Sequence, residues 1–276
     1  MILVTGATGN VGGEVVAQLS RDALPTRALV RSQDVQLPAG VDAVVGDLDR
    51  AETVAEALRD VDGIFPLAGY AAEAELLASA RQAGVRRIVL LSGGGAQATD
   101  VDNPISRYEL ASERTARESG LAWTILRPYA FMSNALRWAP QLREGDVVRA
   151  PFADIPVAVI DPTDIAACVV TALGSDDHAG QTYRVSGPEA ILPEAQVATL
   201  ATVLGRPLRF EAQTDAEARA EMAQSMPAPY VDAFFSFSRG GTLDESSPLP
   251  TVQQVTGSSP RTFVEWARAH VTEFDA

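Results

Sequence analysis

The segment Thr5-Gly6-Ala7-Thr8-Gly9-Asn10-Val11-Gly12 is the first place where residue types and spacing point to chemistry. It follows the apolar run Ile2 to Thr5, opens a helix-period stretch, and spaces its glycines G-x-x-G-x-x-G. In such a loop one glycine makes the turn, the next admits a pyrophosphate against the backbone, and the third lets helix pack on strand. Backbone N–H groups and the positive helix end then face the phosphates. Gly6, Thr8, Gly9, Asn10, Val11 and Gly12 are therefore expected to cradle a dinucleotide.

The adenine ribose of a dinucleotide meets the end of the second strand. An acid about 20 residues past the loop suits the 2′-hydroxyl of NAD, and an arginine suits the 2′-phosphate of NADP. Here the strand ends Leu29-Val30-Arg31-Ser32, with Arg31 19 residues after Gly12 and no acid before Asp34. Arg31 and Ser32 thus favour NADP(H) over NAD(H). Asp47 and Leu48, after the third strand, are placed to close on the adenine, with helix capping the competing role for Asp47 or Asp49.

Other site chemistries find little support. His178 and His270 lie far apart and join no metal-ligand spacing, so no metal is expected. There is no G-x-S-x-G elbow, and Ser92-Gly93-Gly94-Gly95 reads as a mobile loop that lets a cofactor approach closely. Cys168, the single cysteine, sits in the apolar run Ala166 to Val170 and reads as a buried structural residue in a reducing cytoplasm.

Six short apolar runs could position the loop: Ile2 to Thr5, Thr26 to Val30, Ala43 to Val45, Gly63 to Leu67, Arg87 to Leu91 and Ala122 to Leu126. They lack polar alternation, as strands buried on both faces do. Val11 to Arg21, Ala51 to Arg59, Ala71 to Ala83 and Arg107 to Ser119 supply crossover helices. The alternation predicts an α/β fold with a doubly wound parallel sheet and right-handed crossovers. After Arg127 the rhythm breaks. Ile155 to Ile160 reads as a strand entering a helix capped by Asp161, with Pro162 first and Asp164 closing a capping box. A strand at Gln181 to Val185, a helix from Glu194 to Leu204 ending at Gly205, and a last helix from Ser259-Pro260 follow. Gly240 to Pro260 reads as a mobile loop. The expected division is a Rossmann domain over 1–130 and about 156–186, and a smaller α+β lobe over 131–155 and 187–276.

Among 276 residues, 36 acids face 22 bases for a net charge of −14, and all 22 bases are arginine. The acid excess disfavours non-specific nucleic-acid binding. The apolar content of 46% supports a large core and excludes a disordered tail or a small disulfide scaffold. No apolar run approaches the ~20 residues of a membrane helix, and the amino terminus leaves no room for a signal peptide. A cytoplasmic protein is expected, and assembly as a homodimer stays open.

The loop Thr5 to Gly13, Leu29-Val30-Arg31, Gly46-Asp47-Leu48, Ile88 to Ser92, and Ser119 to Pro128 with Phe131-Met132 and Asn134 resemble the NmrA-like branch of the atypical short-chain dehydrogenase/reductases. Ser186-Gly187-Pro188-Glu189 extends the resemblance over most of the chain. It implies a Rossmann domain with a small carboxyl-terminal lobe and NAD(P) between them. It adds Leu67 and Ala68 to the cofactor contacts and nominates Tyr70, Tyr108, Tyr129, Phe131, Met132, Asn134 and Trp138 for the substrate pocket. Phe234, Phe235 and Phe237 are candidates for its roof, with a small lobe core as their ordinary alternative.

The usual active site of these enzymes combines Ser, Tyr and Lys, the last two spaced Tyr-x-x-x-Lys. Ser92 and Tyr108 are candidate catalytic residues, but Ser112 stands where the lysine would be, and the chain contains no lysine at all. A standard alcohol dehydrogenase mechanism is therefore not expected. A quinone is a better acceptor, because its reduction ends on a phenolate-like oxygen with a pKa of roughly 10. The reading is an NAD(P)H-dependent oxidoreductase acting on a quinone or conjugated aromatic carbonyl. An aromatic polyketide intermediate, with later reaction with oxygen, would fit. An NADP-binding redox sensor without turnover and an isomerase or lyase stay open as alternatives.

Overall fold

The computed structural model describes residues 1–275. Its main sheet contains β1 (Ile2–Val4), β2 (Thr26–Val30), β3 (Asp42–Val45), β4 (Gly63–Phe65), β5 (Arg87–Leu91), β6 (Ala122–Pro128) and β8 (Gln181–Val185) in the order β3-β2-β1-β4-β5-β6-β8. Every pairing is parallel. The order reverses between β1 and β4, so a crevice forms where their carboxyl ends part. The chain is a doubly wound α/β fold, as its alternation of runs predicts.

Helices cover both faces. α1 (Asn10–Arg21) buries Val11, Val15, Val16 and Leu19, a stripe at helical spacing that packs on α5 (Pro162–Gly174). On the other face, α2 (Glu73–Gln82) and α3 (Pro104–Glu118) close over Leu3, Ile64, Ile88 and Ile125. α3 begins three residues before the expected Arg107. The Asn103 side chain accepts the Ile105 N–H, and Pro104 takes the first helical position.

Several expectations are corrected. Ala51 to Arg59 forms a single 3-10 turn, Ala51–Thr53, followed by turns. Arg27 donates to Ala57 O at 3.0 Å and Arg59 O at 2.7 Å, which ties the end of this segment to β2. β3 is an exposed edge rather than a doubly buried strand. Ile155 to Ile160 is not a strand. Val157 bridges Ile191, Ala158 N–H donates to Glu245 O, and Ile160 bridges Phe131, so three segments share its backbone.

The small lobe contains α4 (Ala139–Glu144), α6 (Pro193–Leu204), and β7 (Val147–Ala150) paired in parallel with β9 (Arg209–Ala212). α7 (Asp215–Met222), α8 (Ala228–Ser238), α10 (Phe263–Ala269) and α11 (Val271–Asp275) complete it. Trp266 and Phe263 fill its core with Met132 and Leu200. The last helical pair starts after Thr262, in a Thr262/Glu265 capping box, and not at Ser259-Pro260. Asp161 caps α5 as expected, but Asp164 accepts from Arg261 N–H at 2.8 Å instead of closing a capping box. The segment expected to be mobile, 240–260, is tied down. Thr99 N–H bonds Thr242 O, Leu249 N–H bonds Ser186 Oγ, and α9 (Thr251–Thr256) returns to pack on α5.

Candidate functional site

The glycine loop lies at the β1 side of the crevice. Thr5 ties β1 to β4, donating to Phe65 O from both N–H and Oγ1 at 3.0 Å. Gly6 then turns with φ +58, a left-handed conformation, and a Cβ there would lie 2.7 Å from Leu67 Cδ1. The Gly6 carbonyl accepts from Gly9 N–H at 2.8 Å. A Cβ on Gly12 would lie 2.2 Å from that same oxygen, so α1 reaches the loop only with glycine at this position. Gly9 precedes α1 with no side-chain cap, which leaves the first N–H groups of the helix for a ligand. Thr8, Gly9 and Asn10 are exposed on a depression of about 200 Å³, with Ser133 opposite. Asn10 Nδ2 donates to Ser133 Oγ at 3.2 Å. Bare backbone, free helix-end donors and adjoining space fit a dinucleotide pyrophosphate.

Arg31 and Ser32 are exposed at the end of β2, and Ser32 Oγ accepts Asp34 N–H at 3.2 Å. Leu67 and Ala68 meet β5, where Ala68 N–H donates to Leu91 O. Val11, in the first turn of α1, is buried in the core, so its side chain is not free to meet a ligand. Leu48 is likewise packed in the core beside Leu29, Val54 and Leu58, so its side chain is not a free face for adenine. Asp47 is exposed, and its Oδ1 accepts Asp49 N–H in a local turn.

Ser92 enters a buried charged hub. Its Oγ donates to Glu113 Oε1 at 2.8 Å. Arg127 forks onto the same carboxylate, Nε to Oε1 and Nη2 to Oε2, both at 2.7 Å, and Arg117 Nη2 reaches Oε2 at 2.8 Å. Glu113 is fully buried, and burial alone would raise its pKa. The Arg127, Ser92 and Arg117 hydrogen bonds outweigh burial and hold it below the usual value. The nominated Ser92 hydroxyl is thus committed to Glu113.

Tyr108 lies against Gly69, where a Cβ would sit 3.2 Å from its Cδ2. Burial first, and then the adjacent Glu109, push its hydroxyl up to about 12. Ser112, four residues on, accepts Gly69 N–H at 3.0 Å and so holds this loop.

The glycines after Ser92 answer to carboxylates, which corrects their reading as a mobile loop. A Cβ on Gly93 would lie 2.1 Å from Glu109 Oε1, and one on Gly94 2.4 Å from Glu245 Oε1. Burial pushes Glu109 and Glu245 up to about 7, and Asp164 up to about 6. In the unfolded chain carboxyls lose their protons near pH 4. These three hold theirs longer when folded, so stability falls as pH rises from about 4.5 through 7. Carboxylates with lowered pKa values are already ionised in that window and add no slope. The thermal midpoint is therefore expected to be higher at pH 5 than at pH 8 by roughly 5 °C, and Glu109→Gln should flatten the profile. A midpoint rising over this range would contradict the assignment.

Beyond the β6 carboxyl end, a cavity of about 360 Å³ opens into the small lobe. Phe131, Asn134 and Trp138 line it as nominated, as does Phe234. Tyr129 and Met132 do not. Tyr129 is 2% exposed with its hydroxyl accepting from Arg184, and Met132 is 1% exposed in the lobe core. Tyr70 packs against the α2/α3 core, while Phe235 and Phe237 fill small apolar clusters. Sequence reading missed Phe152, Arg137 and Gln213 in the cavity wall. For Arg137 a signal existed: it follows Asn134 by three residues, one turn of a short helix.

His178 Nδ1 pairs with Tyr183 OH, and His270 stacks on Trp266. Among the described residues no cluster of His, Cys, Asp or Glu could hold a metal ion. Cys168 is buried, and burial raises its thiol to about 12. Among the described residues no helix is long and apolar enough to cross a membrane.

Comparison with known proteins places this geometry. Residues 6–176 match the NAD(P)H-binding family. The chain is 42% identical over 280 residues to the (4-alkanoyl-5-oxo-2,5-dihydrofuran-3-yl)methyl phosphate reductase of Streptomyces griseus, covering 99% of both. It is 37% identical over 286 residues to the NAD(P)H azoreductase of Xenophilus azovorans, covering 100% of both. Among solved structures, an NADPH-dependent quinone oxidoreductase from Escherichia coli complexed with NADPH shares the fold at a TM-score of 0.77 and 22% identity, over 99% of this chain and 100% of that one. The chain belongs to the NAD(P)H-binding family, within the atypical short-chain dehydrogenase/reductases.

Proposed function

We propose that the chain is an NADPH-dependent reductase of a quinone or similarly electron-poor conjugated aromatic carbonyl, acting in secondary metabolism. The observation that carries this reading is the apolar cavity beyond β6, walled by Phe131, Trp138, Phe152 and Phe234. Its volume of about 360 Å³ suits a fused aromatic ring system. Both relatives named above are reductases, and one has a Streptomyces source and a conjugated lactone in its name.

When bound in the cradle, NADPH supplies a hydride. The chain's residues must hold the acceptor flat, exclude water and donate to its oxygen. Asn134 Oδ1 is engaged by Arg137 at 2.8 Å, which leaves Nδ2 to donate to a carbonyl. Tyr108, with its pKa raised to about 12 and no lysine to lower it, is a poor proton donor. A quinone tolerates this, because its reduced oxygen is a weak base that water can protonate. Arg31 is proposed to take the 2′-phosphate.

The test is consumption of NADPH with a quinone panel. Turnover is expected only when quinone is added. Arg31→Ala should raise the KM for NADPH at least about tenfold, the loss of one charge-assisted hydrogen bond, while leaving NADH unaffected. Bound cofactor without turnover across the panel would overturn the reductase reading. Equal losses for both nucleotides would overturn the phosphate assignment.

A further inference from the structure

We propose that Arg137 is an anion anchor inside the lobe cavity, so that the natural acceptor is amphipathic: an aromatic or acyl body carrying a carboxylate, sulfonate or phosphate group. The proposal rests on the cavity being the acceptor site and specifies the charge of what it takes.

Three charged side chains line the cavity: Arg137, Arg149 and Glu221. Two of them are occupied within the protein. Arg149 pairs with Glu217 at 2.8 Å and lies 4.0 Å from Glu211, and Glu221 accepts from Gln213 Nε2. Arg137 differs. Among the described residues its one hydrogen bond runs from Nη2 to the neutral Asn134 Oδ1 at 2.8 Å, out of the five donors a guanidinium carries.

The Arg137 side chain is exposed where it lines the cavity. Desolvation lowers its pKa, and no carboxylate acts to raise it again. An arginine stays charged even so. In a chain with 36 acids and 22 bases, a carboxylate partner would be the common outcome. Its absence here leaves the planar fork open to a ligand, and that fork matches a carboxylate, sulfonate or phosphate with two parallel hydrogen bonds. Trp138 stands next to it in the chain and lines the same cavity, so a ring and an anionic group can be bound side by side.

The experiment uses the full chain and two unreactive probes of matched shape, naphthalene-2-sulfonate and naphthalene-2-methanol, titrated by calorimetry. The sulfonate is expected to bind at least about tenfold more tightly. Arg137→Gln should bring the sulfonate down to the level of the alcohol, leaving alcohol affinity and thermal midpoint unchanged, and Arg137→Lys should restore part of the preference. Equal affinity for the two probes, binding of neither, or a preference that survives Arg137→Gln would each overturn the proposal. Because the probes accept no hydride, a negative result leaves quinone-dependent NADPH consumption standing. Absence of that consumption likewise leaves a positive result here intact.

Discussion

Gly9→Val is expected to weaken nicotinamide dinucleotide binding at least about a hundredfold, the equivalent of two charge-assisted hydrogen bonds, while moving the thermal midpoint by no more than about 2 °C. The backbone at Gly9, φ −91 and ψ 175, is open to any residue. A Cβ there would lie 3.3 Å from Gly6 O, a close approach that small shifts relieve. The branched side chain would instead stand over the amide end of α1, where a pyrophosphate needs bare backbone. Gly12→Ala is the contrasting case. Its Cβ at 2.2 Å from Gly6 O displaces the helix itself, so that variant loses stability together with ligand. Calorimetry with the dinucleotide, alongside thermal unfolding, separates the two. Retention by Gly9→Val within threefold of the parent would remove the cradle assignment.

Glu113→Leu is expected to lower stability by about 3–5 kcal/mol and the thermal midpoint by roughly 10 °C. The carboxylate receives Ser92, Arg127 and Arg117 at 2.7–2.8 Å with no exposure of its own. Leucine fills the space but leaves Arg127 charged and half-enclosed without a counter-ion. Glu113→Gln should cost less, since an amide oxygen still accepts one donor. Because the hub holds β5, β6 and α3 together, unfolding by heat or denaturant reads the loss directly. A midpoint unchanged in Glu113→Leu would show that the hub contributes no net stability.

The parts of this fold legible in sequence were those governed by local rules. Strand β2 and the span of α1 follow from apolar periodicity and a glycine start, and the Asp161-Pro162 signal gives the start of α5. Errors came where distant groups claimed a segment's backbone. Arg27, 24 residues upstream of Ala51, holds the Ala57 and Arg59 carbonyls at the end of the segment, which forms turns in place of a helix. Glu245, and Ala130 and Met132 on either side of Phe131, all far from 155–160, take its hydrogen bonds in place of a neighbouring strand. The site divides in the same way. The cradle is contiguous, so its spacing is visible, whereas the cavity joins residues from 130 to 238. Phe131, Asn134 and Trp138 entered through resemblance to a family. Tyr129 and Met132 came in by the same route and belong to the core, where Tyr129 is held by Arg184 and Met132 packs among the lobe's apolar side chains. Glu109 and Glu245 gave no signal, since nothing in a sequence marks a carboxylate that folding will bury under glycines.

The cradle is built within the first crossover, and the walls of the cavity come wholly from chain beyond Pro128. On the proposed function, the glycine loop and the walls of the acceptor cavity therefore come from separate stretches of the sequence. Variation confined to residues 149–155 and 213–238 would, on that same function, redirect which molecule is accepted without touching the depression beside the glycine loop. Such a scaffold can be re-aimed toward new acceptors by exchanging a cassette, with the front of the chain kept as a common chassis.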